Sequence, residues 1–179
     1  MAMVSGPVQL GSCRECRREV SANARACPHC GAPKPADHKW NGWGFDWKSK
    51  TSYYGWPLIH VSAGKDRNGK LRVAKGWIAV GQFGIGLVTV AQFGVGVLFG
   101  FGQFIIGITA IAQFAAALLF GLGQFASGYV AIGQIAFGYY ALCQTGYGIH
   151  LWSQKLADPE AIRFFMELKR HFLTAWGKS

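Results

Sequence analysis

Five cysteines are the residues of this chain with the clearest chemistry, and four of them form two closely spaced pairs. Two residues separate Cys13 from Cys16 and Cys27 from Cys30, and ten residues lie between the pairs. Two such CxxC turns can each present two thiolates, which is the ligand set of a closed tetrahedral zinc site. We therefore predict that these four cysteines bind one structural Zn²⁺, which folds a segment too short for its own hydrophobic core.

The segment CRECRREVSANARACPHCG resembles the bacterial zinc-ribbon pattern. That resemblance implies a short strand and turn between two metal-binding knuckles. Arg17 stands where the pattern usually has Gly, which weakens one N–H to sulfur hydrogen bond but removes no ligand, and His29 in the second knuckle is predicted to be exposed. Disulfide, redox and rubredoxin-like iron sites remain alternatives. Because four sulfurs fill the coordination positions, a hydrolytic zinc is not expected.

The ribbon is basic and could contact phosphates, which need only positive charge. Its arginines are Arg14, Arg17, Arg18 and Arg25. Aromatic side chains for base stacking are absent between Cys13 and Cys30. A protein-docking or structural role is therefore favoured, with nucleic-acid binding as an alternative.

Residues 76–148 contain no Asp, Glu, Lys, Arg or His and repeat every five residues. Each unit begins with a small residue, as in GQFGI, AQFGV and GQFAS. Five positions advance a helix by about 140°, so the small residues would form no stripe on it. In a coil of short strands, a small residue at each corner lets the chain turn. The third position of each unit, such as Ile78, Phe83 or Phe104, is then predicted to point into the core.

Two further regularities concern the second position and the unit length. Every second unit carries Gln there: Gln82, Gln92, Gln103, Gln113, Gln124, Gln134 and Gln144. The two six-residue units begin at Gly96 and Ala117, four units apart, so a coil of four units would stack both extra residues on one corner. We therefore predict a four-sided β-solenoid of about 17 Å, whereas a flatter coil of ten residues would reach about 34 Å.

The array resembles pentapeptide-repeat solenoids, whose units carry a small residue, a polar residue, Leu or Phe, and two variable residues. Here the variable outward positions are mostly apolar, which is rare on soluble monomers, so we expect them to face lipid or other copies of the chain. The chain also resembles an uncharacterised group of bacterial membrane-associated proteins, and this resemblance implies only fold and location. Three or four transmembrane helices, or a cross-β assembly, are the alternative structures.

The segments before the repeat are a linker and a predicted hairpin. The linker's aromatic residues suit either a membrane-interface anchor or a small core under the first coil. They are Trp40, Trp43, Phe45 and Trp47. Asp66 to Gly69 lies between two β-prone runs and predicts a hairpin turn, which would cap the open end of the solenoid. His60 in that hairpin is expected to be a packed or capping residue rather than a ligand or base.

The segment from Asp158 predicts an amphipathic helix, with Asp158 as N-cap and Pro159 and Glu160 in the first turn. Its mostly apolar stripe comprises Ile162, Phe165, Met166, Lys169, Phe172, Leu173 and Trp176. Its basic side comprises Arg163, Lys169, Arg170 and Lys178. Such a helix suits an anionic membrane surface or covers the second end of the solenoid.

The sequence thus predicts a mainly β chain in five parts. These are a zinc ribbon (1–32), a linker with an aromatic cluster (33–52), a β-hairpin cap (53–75), a hydrophobic β-solenoid (76–150) and an amphipathic α-helix (151–179). No catalytic constellation is visible, and Cys143 is expected to be a small buried residue, so we predict no enzyme activity.

Charge and the N-terminal pattern predict a location. The net charge is +10, both flanks of the repeat are basic, and no signal-peptide pattern is seen, which favours the cytoplasmic side of the inner membrane. We expect a membrane-associated structural or adaptor protein whose partners are membrane lipid, further copies of the chain and an unknown cytoplasmic protein. A pore lined by the Gln residues and a nucleic-acid tether are the alternative functions.

Overall fold

The computed structural model describes residues 9–176, which form a mainly β protein with one C-terminal helix. The strands are β1 (Leu10–Ser12), β2 (Glu19–Ser21), β3 (Gly42–Lys48), β4 (Ser52–Tyr53), β5 (Trp56–Pro57), β6 (Ile59–Asp66) and β7 (Val73–Trp152), and the helix is α1 (Pro159–Trp176). The chain divides into two compact units. The first extends to Trp43 and includes Asp66–Gly69, and the second comprises Gly44–Lys65 and the chain from Lys70 onward.

The first unit is built around a short antiparallel pair of strands. β1 pairs with β2, and Gly11 lies opposite Val20. The buried cluster consists of Cys13, Val20, Cys27 and Ala32. This cluster of small side chains is too small to stabilise a fold by burial alone, as the sequence suggested.

The short extended segments before β7 pair differently from a simple hairpin. The turn predicted at Asp66–Gly69 is present, with the Gly69 N–H donating to the Asp66 carbonyl at 3.1 Å. β6 then pairs in parallel with the start of β7, so that Ile59 lies opposite Ile78. The sheet order is β3-β6-β7, and the predicted linker therefore contains a strand, β3. After the turn the chain first returns alongside the end of β6, with Lys65 opposite Leu71 in an antiparallel bridge. The parallel partner then requires it to circle back rather than continue as a hairpin.

β7 is a run of 80 extended residues in which residues ten or eleven apart touch. The rings of Phe104 and Phe114 lie 4.6 Å apart, and those of Tyr129 and Tyr139 lie 5.0 Å apart. In a straight strand, residues ten apart would be separated by about 33 Å. The run therefore doubles back on itself repeatedly, and it does not confirm the predicted four-sided coil of about 21 residues.

The buried side of β7 differs from the side that the sequence predicted. The completely buried residues of the fourth position are Ala79, Thr89, Ile105, Ala110, Ala115, Ala126, Ala131, Ala136 and Ala141. No residue of the third position is buried, and Ile78, Phe93 and Leu119 are 37%, 47% and 59% exposed. The prediction of an inward third position is therefore wrong.

Close approach across the inside of β7 explains which side chains are buried. A Cβ on Gly84 would lie 2.8 Å from Thr89 Cγ2, and one on Gly86 would lie 3.1 Å from the Ala79 Cβ. The stretches that face each other are thus so near that mostly Ala, Gly and Thr fit between them. The bulky side chains are left on the outside, where their hydrophobicity had suggested a core.

Helix α1 begins as predicted and packs through its first turns. The Glu160 N–H donates to Asp158 Oδ1 at 2.8 Å, which confirms Asp158 as the N-cap. Ala161 and Phe165 are buried, whereas Phe172 is 67% exposed. The end of the predicted stripe and basic side, the Trp176 side chain and Lys178, lies outside the described residues.

Helix α1 contacts the end of β7 through aromatic stacking. The rings of Phe164 and Tyr140 are 4.1 Å apart, and His150 Nδ1 lies 3.0 Å from Asp158 Oδ2. Among the described residues, no helix has the length and apolar character needed to cross a membrane.

Candidate metal centre

The four predicted ligand cysteines lie together in the first unit. Their sulfur atoms are all within 4.8 Å of one another, and the Cys13–Cys30 and Cys16–Cys27 pairs are each 3.7 Å apart. A tetrahedron with Zn–S bonds of about 2.3 Å has sulfur–sulfur edges of about 3.8 Å. The sulfur positions therefore fit a single tetrahedral metal ion, and zinc is compatible with them.

Two similar backbone turns hold these sulfurs. The Arg17 N–H donates to the Cys13 carbonyl and the Gly31 N–H to the Cys27 carbonyl, both at 2.9 Å. Gly31 has a φ of 76°, and Arg17 has a φ of 61° in the equivalent place. Arg17 thus adopts the left-handed conformation that the zinc-ribbon pattern assigns to Gly. The departure from the pattern introduces backbone strain without moving a ligand.

The electrostatics of the cluster favour thiolates that share a cation. Backbone N–H groups, first that of Cys16, lower the pKa of Cys13 to about 6. Burial raises the pKa of Cys27, but N–H groups of the second knuckle outweigh it and leave that pKa below its ordinary value. The Ala32 N–H lowers the pKa of Cys30, but burial and the three neighbouring thiols outweigh it and raise the pKa to about 12. Four sulfurs this close cannot all carry negative charge unless a cation offsets the repulsion.

Arg14 is held within the first unit and is not available as a phosphate-binding arginine. Its guanidinium donates to the carbonyls of Pro33 and Lys34 and lies 4.3 Å from the centre of the Trp40 ring. Only 5% of its side chain is exposed. Arg17, by contrast, is exposed on the ribbon surface. The basic character of the ribbon is therefore partly internal, since Arg14 is held by the Pro33 and Lys34 carbonyls and the Trp40 ring.

The histidines lie outside the sulfur cluster. His29 is exposed, as predicted, and its Nδ1 is 3.3 Å from the Arg18 guanidinium. His60 is buried, as predicted for a packed residue, but it also has an acidic partner that sequence distance concealed. The Lys75 N–H donates to His60 Nδ1 at 2.7 Å, which leaves Nε2 to donate to Asp46 Oδ1 at 2.8 Å. Because both ring nitrogens have partners, this pair is suited to fixing β3 against β6.

Asp46 remains ionised in this pair. Burial raises the pKa of Asp46, but its hydrogen bond with His60 and nearby positive charge outweigh that effect and hold the pKa below its ordinary value. The contact between His60 and Asp46 arises because β3 and β6 pair and bring together residues 14 positions apart. No local sequence motif indicates it.

The aromatic residues of the linker differ in exposure. Trp40 is 9% exposed and lies against the Arg14 guanidinium. Trp43, Phe45 and Trp47 are between 46% and 55% exposed. Trp40 is therefore a buried residue of the first unit, and a membrane-interface role stays a prediction for the other three side chains.

The repeat places all of its glutamines on the surface. Each of the seven Gln residues in the second position is exposed. A shallow groove runs along part of this row, lined by Gln124, Gln134 and Gln144 together with Leu122, Ile132 and Leu142. The residues in each set are ten positions apart, so the groove crosses successive passes of the chain. Cys143 is buried nearby, as predicted.

Comparison of the chain with family models, curated proteins and solved structures finds no significant match.

Proposed function

We propose that residues 76–148 form a β-solenoid whose coils contain two five-residue units each. Ring stacking supports this coil, because Phe83, Phe93, Phe104, Phe114 and Phe125 follow one another at centroid distances from 4.4 to 6.2 Å. Intervals of ten or eleven residues separate these rings, and the eleven-residue intervals contain the six-residue units. Seven coils at about 4.8 Å each make a rod of about 34 Å. The glutamines then form one row along the rod, and Trp77, Leu87, Val97 and their equivalents form the opposite row.

The rod is proposed to lie in a membrane, so that the protein is a membrane-embedded structural or adaptor protein rather than an enzyme. The observation that carries this proposal is the exterior of the repeat. Leu118 is 73% exposed, Phe101 52% and Leu98 51%, and no ionisable side chain other than Cys143 and the Tyr hydroxyls lies between residues 76 and 148. Exposed apolar area of this extent is stable only against lipid or another apolar surface.

The ribbon is proposed to be a structural zinc module that presents a protein-docking surface in the cytoplasm. Four sulfurs complete the coordination of a zinc ion, which leaves no open position for a substrate. The basic flank before the repeat favours the cytoplasmic face of the inner membrane. Arg14 is committed to internal contacts, which favours protein docking over a nucleic-acid tether.

The membrane proposal is tested by placing a charge on the exterior of the rod. Leu98→Arg should reduce the amount of chain that resists carbonate extraction from membranes, because an arginine facing lipid near the bilayer centre costs about 2–4 kcal/mol. Tyr54→Arg is the matched control, since Tyr54 is 94% exposed but lies in the β4–β5 turn. If the chain and both variants extract equally and completely, the rod is not embedded in lipid.

The row of glutamines gives the membrane-embedded chain a reason to associate with further copies. An amide exposed to hydrocarbon lacks hydrogen-bond partners, which is unfavourable for each residue in the row. A second copy can satisfy these groups, because the Gln amide both donates and accepts. We therefore propose a homo-oligomer that is joined through the glutamine row.

A pore is the second candidate function, and the same continuous row of exposed glutamines favours it. Several copies that turn their rows toward one axis would line a polar path across the membrane. The triple variant Gln103→Leu, Gln113→Leu, Gln124→Leu should then abolish ion conductance in reconstituted bilayers. Unchanged conductance would remove the pore and leave the adaptor role in place.

A further inference from the structure

The Trp and Tyr residues of the chain lie on either side of the middle of the repeat and are absent from the middle itself. All seven Trp and all six Tyr residues lie outside residues 78–128. The last two of these residues before the segment are Trp56 and Trp77, and the first two after it are Tyr129 and Tyr139. The intervening exterior is made of Val, Ile, Leu, Phe and the row of Gln. In a coil of ten or eleven residues, these two groups of aromatic residues belong to opposite ends of the rod.

The first aromatic group is open to the surroundings and forms one surface. Tyr53, Tyr54 and Trp56 are 55%, 94% and 43% exposed. They line an apolar groove of about 270 Å³ together with Trp77 and side chains of the first coils of β7. The first three of these side chains are carried by the β4–β5 turn, which is of type I′ because Tyr54 and Gly55 both have a positive φ.

The second aromatic group lies at the other end of β7. Tyr129 is 50% exposed, Tyr139 37% and Tyr147 75%. The rings of Tyr129 and Tyr139 stack at 5.0 Å, and Tyr139 also meets the His150 ring at 5.3 Å. The first ionisable residue beyond this group, other than Cys143, is His150.

The spacing of the two groups matches a bilayer. About five coils separate residue 78 from residue 128, which corresponds to about 24 Å along the rod. Trp and Tyr concentrate at both membrane interfaces because their rings are apolar and their N–H and O–H groups are polar. Apolar bands of membrane-spanning β-structures are about 25 Å tall and are bordered by aromatic side chains.

Backbone hydrogen bonding gives an independent reason for one orientation of the rod. β6 pairs in parallel with the start of β7, and in the proposed coil the same pairing bonds each pass to the passes before and after it along the axis of the rod. The side walls therefore expose no unpaired N–H or C=O groups, and open edges exist only at the two ends. A lipid environment tolerates such walls but not open edges, so the axis must stand across the membrane with both ends in the polar regions.

We propose, on the basis of the membrane-embedded function above, that the solenoid crosses the bilayer with its axis along the membrane normal. One aromatic group lies at each interface, and the segment before Tyr53 and helix α1 leave the solenoid on opposite sides of the membrane. The ribbon end is cytoplasmic, because residues before the repeat carry the larger excess of Lys and Arg. The lipid-facing band is the exterior of residues 78–128.

Labelling from the two sides of the membrane tests this orientation. Exposed positions beyond each aromatic group provide the sites, Lys50→Cys at the ribbon end and Gln154→Cys at the α1 end, and Leu98→Cys is the control at the centre of the rod. Each change is made in the full chain with Cys143→Ala and with zinc present. A membrane-impermeant maleimide is then added to right-side-out and to inside-out membrane vesicles.

The proposal predicts that Lys50→Cys is labelled only in inside-out vesicles, Gln154→Cys only in right-side-out vesicles, and Leu98→Cys in neither. Labelling of Lys50→Cys and Gln154→Cys from the same side, with Leu98→Cys protected, would overturn the spanning orientation but keep the membrane-embedded rod. Labelling of Leu98→Cys in intact vesicles would overturn both, because the exterior of the rod would then be in water.

Discussion

The cysteine ribbon and the repeat region differ in which side chains they bury. In the ribbon, Val20 and Ala32 pack with two ligand cysteines, and charged side chains such as Arg17 cover the outside. In the repeat, the alanines of the fourth position are buried, and Leu118 and Phe101 are on the outside. The ribbon thus exposes charged side chains and the repeat exposes apolar ones, and this difference is what supports the proposed apolar surrounding of the repeat.

The same comparison separates what stabilises each region. The ribbon has a minimal core and four sulfurs close enough to bind one metal ion, on which we propose that it depends. The repeat, in the proposed solenoid, depends on many equivalent backbone pairings and on small buried side chains. A single substitution should therefore remove the whole ribbon fold, whereas in the repeat its effect should depend on the position within the five-residue unit.

The largest effect is expected from loss of the zinc ligands. Cys27→Ser, or a strong zinc chelator, should unfold the ribbon and leave the repeat folded, because the metal replaces the missing hydrophobic core. Hydrogen exchange measured by mass spectrometry should show lost protection in the first unit alone. Cys143→Ala should keep the zinc content of the parent chain in elemental analysis. A ribbon that stays protected without metal would contradict this assignment.

Substitutions in the repeat are expected to have the next largest effect on stability. Enlarging a small buried residue should destabilise the repeat more than truncating a large exposed one. Ala110→Leu should lower the free energy of unfolding by about 1–3 kcal/mol, because the buried site has no space for added carbons. Leu119→Ala, a large-to-small change on the exposed side, should change it by less than about 0.5 kcal/mol. Unfolding in a lipid-like detergent measures both. A greater loss from Leu119→Ala would show that the bulky third position is the core after all.

A smaller change is expected at the strained turn of the ribbon. Arg17→Gly relieves a left-handed conformation worth about 1–2 kcal/mol, and the added freedom of Gly in the unfolded chain offsets part of it. The net gain should be about 0.5 kcal/mol, or roughly a twofold higher zinc affinity in chelator competition. Gly31→Ala, in the matching turn, should weaken zinc binding by a similar factor. If both variants bind zinc like the parent chain, strain at these turns does not limit the site.

Local motifs were sufficient to predict the cluster of four cysteines and the helix cap. The CxxC turns set the ligand spacing within a few residues, and the sulfur atoms of Cys13 and Cys30 meet as that spacing requires. Asp158 is followed by Pro159, and the cap depends only on these neighbours. Each feature is determined over a short stretch of chain, so sequence is informative about it.

The core side and the size of the coil depend on contacts that the sequence does not display. Hydrophobicity could not distinguish the inside from the outside, because Leu119 on the outside is more apolar than Ala110 on the inside. A five-residue period is also compatible with two or with four units per coil. Only the contact between residues ten apart, as in Tyr129 and Tyr139, distinguishes them. The pairing of His60 with Asp46 was hidden for the same reason.

The length of the rod, its glutamine row and its two aromatic ends all depend on a coil of ten or eleven residues, and two pairs of cysteines test that coil. Tyr129→Cys with Tyr139→Cys, in a chain carrying Cys143→Ala, places the thiols on neighbouring coils within disulfide reach. Leu118→Cys with Tyr139→Cys places them two coils apart, about 9.6 Å, beyond that reach. Mass spectrometry of the dilute, oxidised chain should find an intramolecular disulfide in the first pair only. A disulfide in the second pair only would establish the four-sided coil and contradict the membrane-length rod.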